Sequence, residues 1–239
     1  MAARPLFAIA LDGTPADLGV QSGTEDYSAS YTNSGGDFMT ACYWEYSTFG
    51  GPFFSGATYD GVAMTDTEVT AVSTDGGKGR LHLLFLANPS TGAHTLYMNN
   101  SANPTAMWVG ATSYTGVSAT GQPDDHAKNT SSSSSSIVTS VTVSAANSWT
   151  VLCTRNDSGA SDSTAGTGTT QRARYAADKS LAIWDSGGGV SSGSYSMTVN
   201  GPTANWGSAM ASFAPAGGGT TVPAGIFNNP LRGGGRVGR

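Results

Sequence analysis

An all-β fold, an antiparallel two-sheet β-sandwich of jelly-roll-like form followed by an extended C-terminal arm, is what this 239-residue sequence predicts, on three observations. Short runs rich in β-branched, aromatic and apolar residues are separated by Gly, Asn, Asp, Pro and Ser at a spacing that suits a sandwich. No window of helical length carries an apolar stripe of 3.6-residue period with caps. One run, Ile137-Val138-Thr139-Ser140-Val141-Thr142-Val143, puts residues 137, 139, 141 and 143 on one face and Val, Ser and Thr on the other, the pattern of a half-exposed strand.

The first strand is residues 6–12. Leu6 to Leu11 gives six apolar residues, short of the roughly seven to fifteen of a signal-peptide core, with only Arg4 as a charge ahead of them. Strands at 26–32 and 38–46 follow, then 57–59 and 62–65, joined at Asp60-Gly61, whose positive φ suits a two-residue primed turn. After 68–73 comes 80–87, where Arg80-Leu81-His82-Leu83-Leu84-Phe85-Leu86 becomes apolar on both faces, as in a central strand covered by the opposite sheet and by a loop. Asn88-Pro89 and Gly92 turn the chain into 94–99, Pro fixing φ and Gly taking the left-handed position. Strand 106–114 places Trp108 and Tyr114 on one face, as part of an aromatic core layer. Residues 117–136, with six consecutive serines at 131–136, read as a surface loop because they have too little apolar surface to bury. Later strands are 137–144, 149–155, 171–176, 181–185, 194–199 and 209–214, and 156–170 is a polar connection.

Charged residues make up 11% of the chain, well below the roughly 25% of an ordinary soluble domain. Ser, Thr, Gly, Ala and Asn fill the surface instead, as they do more often in extracellular or particle-bound proteins than in metabolic enzymes. A net charge of −5 argues against a nucleic-acid partner, which needs a basic face. No stretch approaches the ~18 apolar residues of a membrane span, so no membrane insertion is expected. Cys42 and Cys153 each sit inside an apolar run and read as two buried free thiols, a bridge staying open because sequence does not give the distance between their Cα atoms. Neither has the Cys-x-x-Cys spacing or neighbouring His of redox or zinc chemistry.

Three motifs occur in order: Tyr59-Asp60-Gly61-Val62-Ala63-Met64-Thr65, then Leu86-Ala87-Asn88-Pro89-Ser90-Thr91-Gly92, then Trp108-Val109-Gly110-Ala111-Thr112-Ser113-Tyr114-Thr115-Gly116-Val117. Together they resemble a β-sandwich module of tailed-phage virion structural proteins and bacterial surface proteins, over about residues 38–216. The motifs are turn and packing signals, so the resemblance implies a fold more than a function. What it implies of function is a virion structural protein, a capsid decoration or a tail or fibre component, assembled in the host cytoplasm.

Little points to chemistry. His82 alternates with leucines, His94 begins a strand, and Asp124-Asp125-His126 reads as a solvated polar loop without ligand spacing. Asp157-Ser158-Gly159 with Asp162 lacks the calcium-loop pattern. There is no Gly-x-Ser-x-Gly elbow, and the runs 187–189 and 233–235 lack the lysine of a phosphate loop. No enzyme activity, cofactor or metal is expected. The most suggestive aromatic cluster is Trp44, Tyr46, Phe49, Phe53 and Phe54 around Gly50-Gly51-Pro52, the candidate glycan-binding residues if the sandwich is a carbohydrate-binding or adhesive module meeting a host-surface glycan.

The chain divides into a body, 1–216, and a tail, 217–239. Three glycines open the tail, Pro223 and Pro230 forbid regular helix, and Val222, Ile226, Phe227 and Leu231 are isolated apolar anchors. All sixteen acids and eight of the basic residues lie in the body, a net −8, while Arg232, Arg236 and Arg239 give the tail +3. An extended arm docking in an acidic groove of a neighbour fits that split. The expected partners are therefore other virion proteins and copies of the chain itself. The alternative to a virion protein, besides the adhesive module, is the subunit of an extracellular filament whose tail completes a neighbour's sheet.

Overall fold

The computed structural model describes residues 8–49, 51, 53–67, 72–74, 77–158, 163–175 and 181–217, and holds no α-helix among them. The strands are β1 (Ala10–Gln21), β2 (Tyr27–Asn33), β3 (Phe38–Tyr46), β4 (Phe54–Tyr59), β5 (Val62–Ala63), β6 (Thr65–Asp66), β7 (Val72–Thr74) and β8 (Gly79–Ala87). They continue as β9 (Gly92–Asn100), β10 (Ala106–Thr115), β11 (Asp125–Val143), β12 (Trp149–Asn156), β13 (Thr164–Ala165), β14 (Thr170–Arg174), β15 (Ala182–Asp185) and β16 (Gly193–Phe213). They pair antiparallel in three sheets: β1-β10-β3-β8-β6 with β7 also on β8, β2-β9-β4-β5, and β11-β16-β12-β15-β14 with β13 on β16.

The all-β antiparallel sandwich predicted from sequence is what forms, and it gains a layer. The first sheet is covered on both sides, because β3, β8 and β10 carry large apolar residues in both phases of their alternation. In one phase Phe38, Cys42, Trp44, Leu81, Leu83, Phe85, Trp108 and Tyr114 pack against Trp149, Val151, Cys153, Ile183, Ala209, Ala211 and Phe213 of the third sheet. In the other, Met39, Ala41, Tyr43, Leu84, Leu86, Met107, Val109 and Ala111 pack against Tyr27, Tyr31, Ala57, Tyr59, Leu96 and Met98 of the second. The sequence showed the doubly apolar character of residues 80–86, and its second cover is a whole sheet, not a loop. Cys42 and Cys153 are free and buried in the same cluster, and burial pushes the Cys153 thiol well up, with the Cys42 thiol adding to it.

A polar thread crosses the interface between the first and third sheets. Thr40 and Thr112 hydroxyls lie 2.7 Å apart, Thr112 donates to the Tyr114 hydroxyl, and Tyr114 donates to Asp185 at 3.3 Å. Asp185, fully buried, also accepts from Arg172 Nε at 2.5 Å and from the Gly187 N–H at 2.8 Å. Every buried polar atom named here has a partner, which is what makes such a thread tolerable in an apolar layer.

The serine run is the main departure from the sequence reading. Residues 125–136 form the first part of β11, paired with β16 from Asp125 opposite Ser212 to Ser131 opposite Trp206. Their backbone groups are satisfied by the ladder, so ordering them does not require apolar side chains. Register shifts fall between Ser131 and Ser136, where Trp206 Nε1 donates to the Ser134 carbonyl at 2.8 Å. Beyond them the rest of the β11/β16 ribbon packs Ile137, Val141, Val143, Met197 and Val199 against Leu152, Trp184 and Met210 on the far face of the third sheet.

The two ends of the described body meet. Val117 bridges Pro215, the Ala216 N–H donates to the Gly116 carbonyl at 2.8 Å, and a Cβ on Gly116 would lie 2.6 Å from the Ala8 carbonyl oxygen. With φ at +78° and backbone on its open side, Gly116 tolerates no side chain. Gly116→Ala is expected to destabilise the fold by roughly 1–3 kcal/mol, read from the denaturant midpoint.

Candidate interaction site at the loop pole

The opposite end of β10 lies beside the loop 47–53. Ala106 pairs with Tyr46 at this pole, and Tyr114 pairs with Phe38 at the pole where the ends meet. The ten residues of β10 put the two poles roughly 30 Å apart. At the loop, the Ser47 N–H donates to the Lys78 carbonyl, the Thr105 N–H to the Tyr46 carbonyl and the Ser101 N–H to the Phe53 carbonyl, so both feet of the loop are held by backbone. Phe49 stands at its tip, 96% exposed.

The structure distributes the five predicted aromatics over two faces of the first sheet. Trp44 is only 6% exposed; it stacks on Tyr46 at 5.8 Å and lies under the Arg155 guanidinium at 4.8 Å, within the layer facing the third sheet. Phe54 lies on the other face, its ring 5.3 Å from Tyr43 and 4.4 Å from His82. The chain reverses between them, and strand alternation sends position 44 and position 54 into different layers. Phe49 is the exposed member, flanked by the half-buried Tyr46 and Phe53. The predicted docking residues Val222, Ile226, Phe227, Leu231, Arg232, Arg236 and Arg239 lie outside the described residues.

Beneath the loop is a buried titratable cluster that sequence reasoning missed. Glu45, 1% exposed, accepts the Phe53 N–H on Oε1 at 2.8 Å, and its Oε2 has no hydrogen-bond partner. His82, 4% exposed, holds Asp66 Oδ2 through Nδ1 at 2.7 Å, and its Nε2 is also unpartnered. Tyr43 pairs with His82 and Glu45 with Arg80 in the β3/β8 register, so Glu45 and His82 are diagonal neighbours on one face. Burial pushes the Glu45 carboxyl above its ordinary range, against the lowering pull of the Phe53 N–H and of His82. Burial likewise raises the Tyr43 phenol, with Glu45 adding to it. The available signal was positional: residues 45 and 82 continue the inward phases 41-43-45 and 82-84-86 of two apolar strands.

The other sequence candidates have structural partners. Asp124 and Asp125 accept the N–H groups of Ser144 and Thr142, and Asp124 also accepts the Ser144 hydroxyl. His126 lies within β11, and Asp157 accepts from Asn205 N and Nδ2. Among the described residues no group of three or more His, Cys, Asp or Glu side chains is arranged to hold a metal ion. No helix among them is long and apolar enough to cross a membrane.

No protein-family model, curated protein or solved structure matches the chain.

Proposed function

We propose that the protein is a structural component of an assembled particle, a virion protein of tailed-phage type serving as capsid decoration or as part of a tail or fibre, held by its C-terminal arm. The observation that carries this reading is the polarity of the body. Residues 8–9 and 215–217 flank Gly116 at one pole, and the exposed Phe49 stands at the other. An arm leaving from Gly217 therefore anchors the body with its loop pole facing away from the support. The charge split gives the arm a direction: its three arginines suit an acidic groove, while acidic bodies repel one another except where an interface is built. Copies of the chain would then be arranged by the symmetry of the particle.

Limited proteolysis with mass spectrometry tests this. Trypsin is expected to cut after Arg232 and Arg236 in the isolated chain and to spare both bonds in the native assembly; cleavage in both sinks the anchoring. Removal of residues 218–239 is expected to abolish incorporation while leaving the melting temperature of the body unchanged.

The exposure of Phe49 favours a second reading, an adhesive module in which Phe49 stacks on a sugar face. Binding on a glycan array that disappears in Phe49→Ala supports it. A silent array for the wild-type chain removes it.

A further inference from the structure

We propose that a proton carried by Glu45 holds Phe53, at the entry to β4, against the sheet, and that loss of this proton as pH rises releases it. The inference stands on the geometry beneath the loop and is independent of the particle reading. Glu45 is the side chain that grips the far foot of the loop, through the Phe53 N–H at 2.8 Å, and it does so from inside the layer between the first and second sheets. Its second oxygen is buried and unpartnered. A neutral carboxyl tolerates that position; a carboxylate there is a buried charge supported only by the Phe53 and Phe54 backbone at the entry to β4.

The surroundings offset it only in part: His82 and Arg80 both favour the charged form, and burial outweighs them. On β8, Arg80 faces the site but commits Nη1 to the Gly77 and Gly79 carbonyls, both at 2.7 Å. His82 turns Nδ1 to Asp66 on β6, leaving its Nε2 buried without a hydrogen-bond partner. From β3 itself comes Tyr43, whose hydroxyl donates to Asn100. Asn100 in turn donates its own N–H to Asp26, a further negative charge behind the tyrosine. Lys78 offers Ser47 its backbone carbonyl. Phe53 and Phe54 bring no charge, and Met107, opposite Glu45 on β10, brings none either.

The cheapest response of an ionised Glu45 is to reach water, and the covering that stands between it and solvent is the Phe53-Phe54 entry to β4. The sign follows from linkage. An acid whose carboxyl lies higher in the closed state than the ordinary 4.5 binds its proton more tightly when closed. Closure is therefore fully favoured below the ordinary value, and that advantage is lost progressively as pH rises from there through the raised one.

Hydrogen exchange at the Phe53 amide, corrected for intrinsic rates, reads the opening directly. Protection is expected to fall by up to about tenfold per pH unit between the ordinary value and the raised closed-state value in the wild type, to level off above it, and to stay level throughout in Glu45→Gln, which keeps the acceptor for Phe53 and cannot ionise. Protection of Phe53 that is level with pH in the wild type, or a glutamine variant that keeps the wild-type slope, overturns the proposal. A second measurement needs no variant. The chain has three glutamates, Glu25, Glu45 and Glu68, so carboxyl-carbon NMR gives three titration curves; one displaced upward is expected, and three in the ordinary range overturn the proposal.

Discussion

Asp185→Ala is expected to lower the stability of the folded chain by about 3 kcal/mol, toward the lower end of what removing one partner of a buried ion pair costs, because Arg172 keeps some contact with solvent. The loss has three parts in one place. Arg172 keeps its charge without its carboxylate, the Tyr114 hydroxyl loses its acceptor in the fully buried layer, and the exposed Gly187 N–H exchanges its carboxylate for water. Guanidinium unfolding checks it: the midpoint should fall with an unchanged slope, since the exposed surface on unfolding is the same. Asp185→Asn is expected to lose less, because an amide oxygen can still accept from Gly187. Equal losses in the two variants would mean that the charge carries the whole effect and that the retained acceptor contributes nothing.

Trp206→Ala is expected to cost about 3–5 kcal/mol, the range for emptying the site of a large buried aromatic. Its ring is one of the three tryptophans with essentially no exposure, and its indole N–H caps the Ser134 carbonyl where the β11/β16 register shifts. Loss of the ring therefore removes both a part of the third core cluster and the hydrogen bond that fixes the bend. Hydrogen exchange resolved by segment is the check. Residues 131–143 should lose protection well beyond the global change, while β3 and β8 should follow the global change alone.

These two sites mark where sequence reading succeeded and where it stopped. The strand at Phe38–Tyr46 was readable to the residue, and most others to within a few, because alternation and turn residues are local signals. The burial of Trp108 and Tyr114 in one layer was readable for the same reason. The serine run was misread as loop because its order comes from a partner strand more than sixty residues away, which no local composition encodes. The third sheet was hidden similarly: an apolar strand announces that both faces are covered, not by what. Of the candidate site, the aromatics around Phe49 were visible as a cluster in sequence, but their assignment to opposite faces depends on how the chain reverses after Tyr46. Glu45 and His82 were invisible because a charged residue in an inward phase becomes meaningful only when its neighbour across the strand is known. The partition of the chain into body and arm rests on composition and charge alone.

The meeting of the two ends of the described body at Gly116 also fixes how it carries a load. β1 runs from that pole toward the loop pole, and the last part of β16 runs back to it, Ala10 pairing with Thr115 and Phe213 with Trp149. A pull on the loop pole, resisted at both ends, is directed along these two strands. The ladder hydrogen bonds lie across that direction and share the strain in parallel. A pull that separates the two ends from each other instead acts across the ladders and opens them one pair at a time. The same body is thus stiff against traction from its far side and easily unzipped if its two described ends are drawn apart.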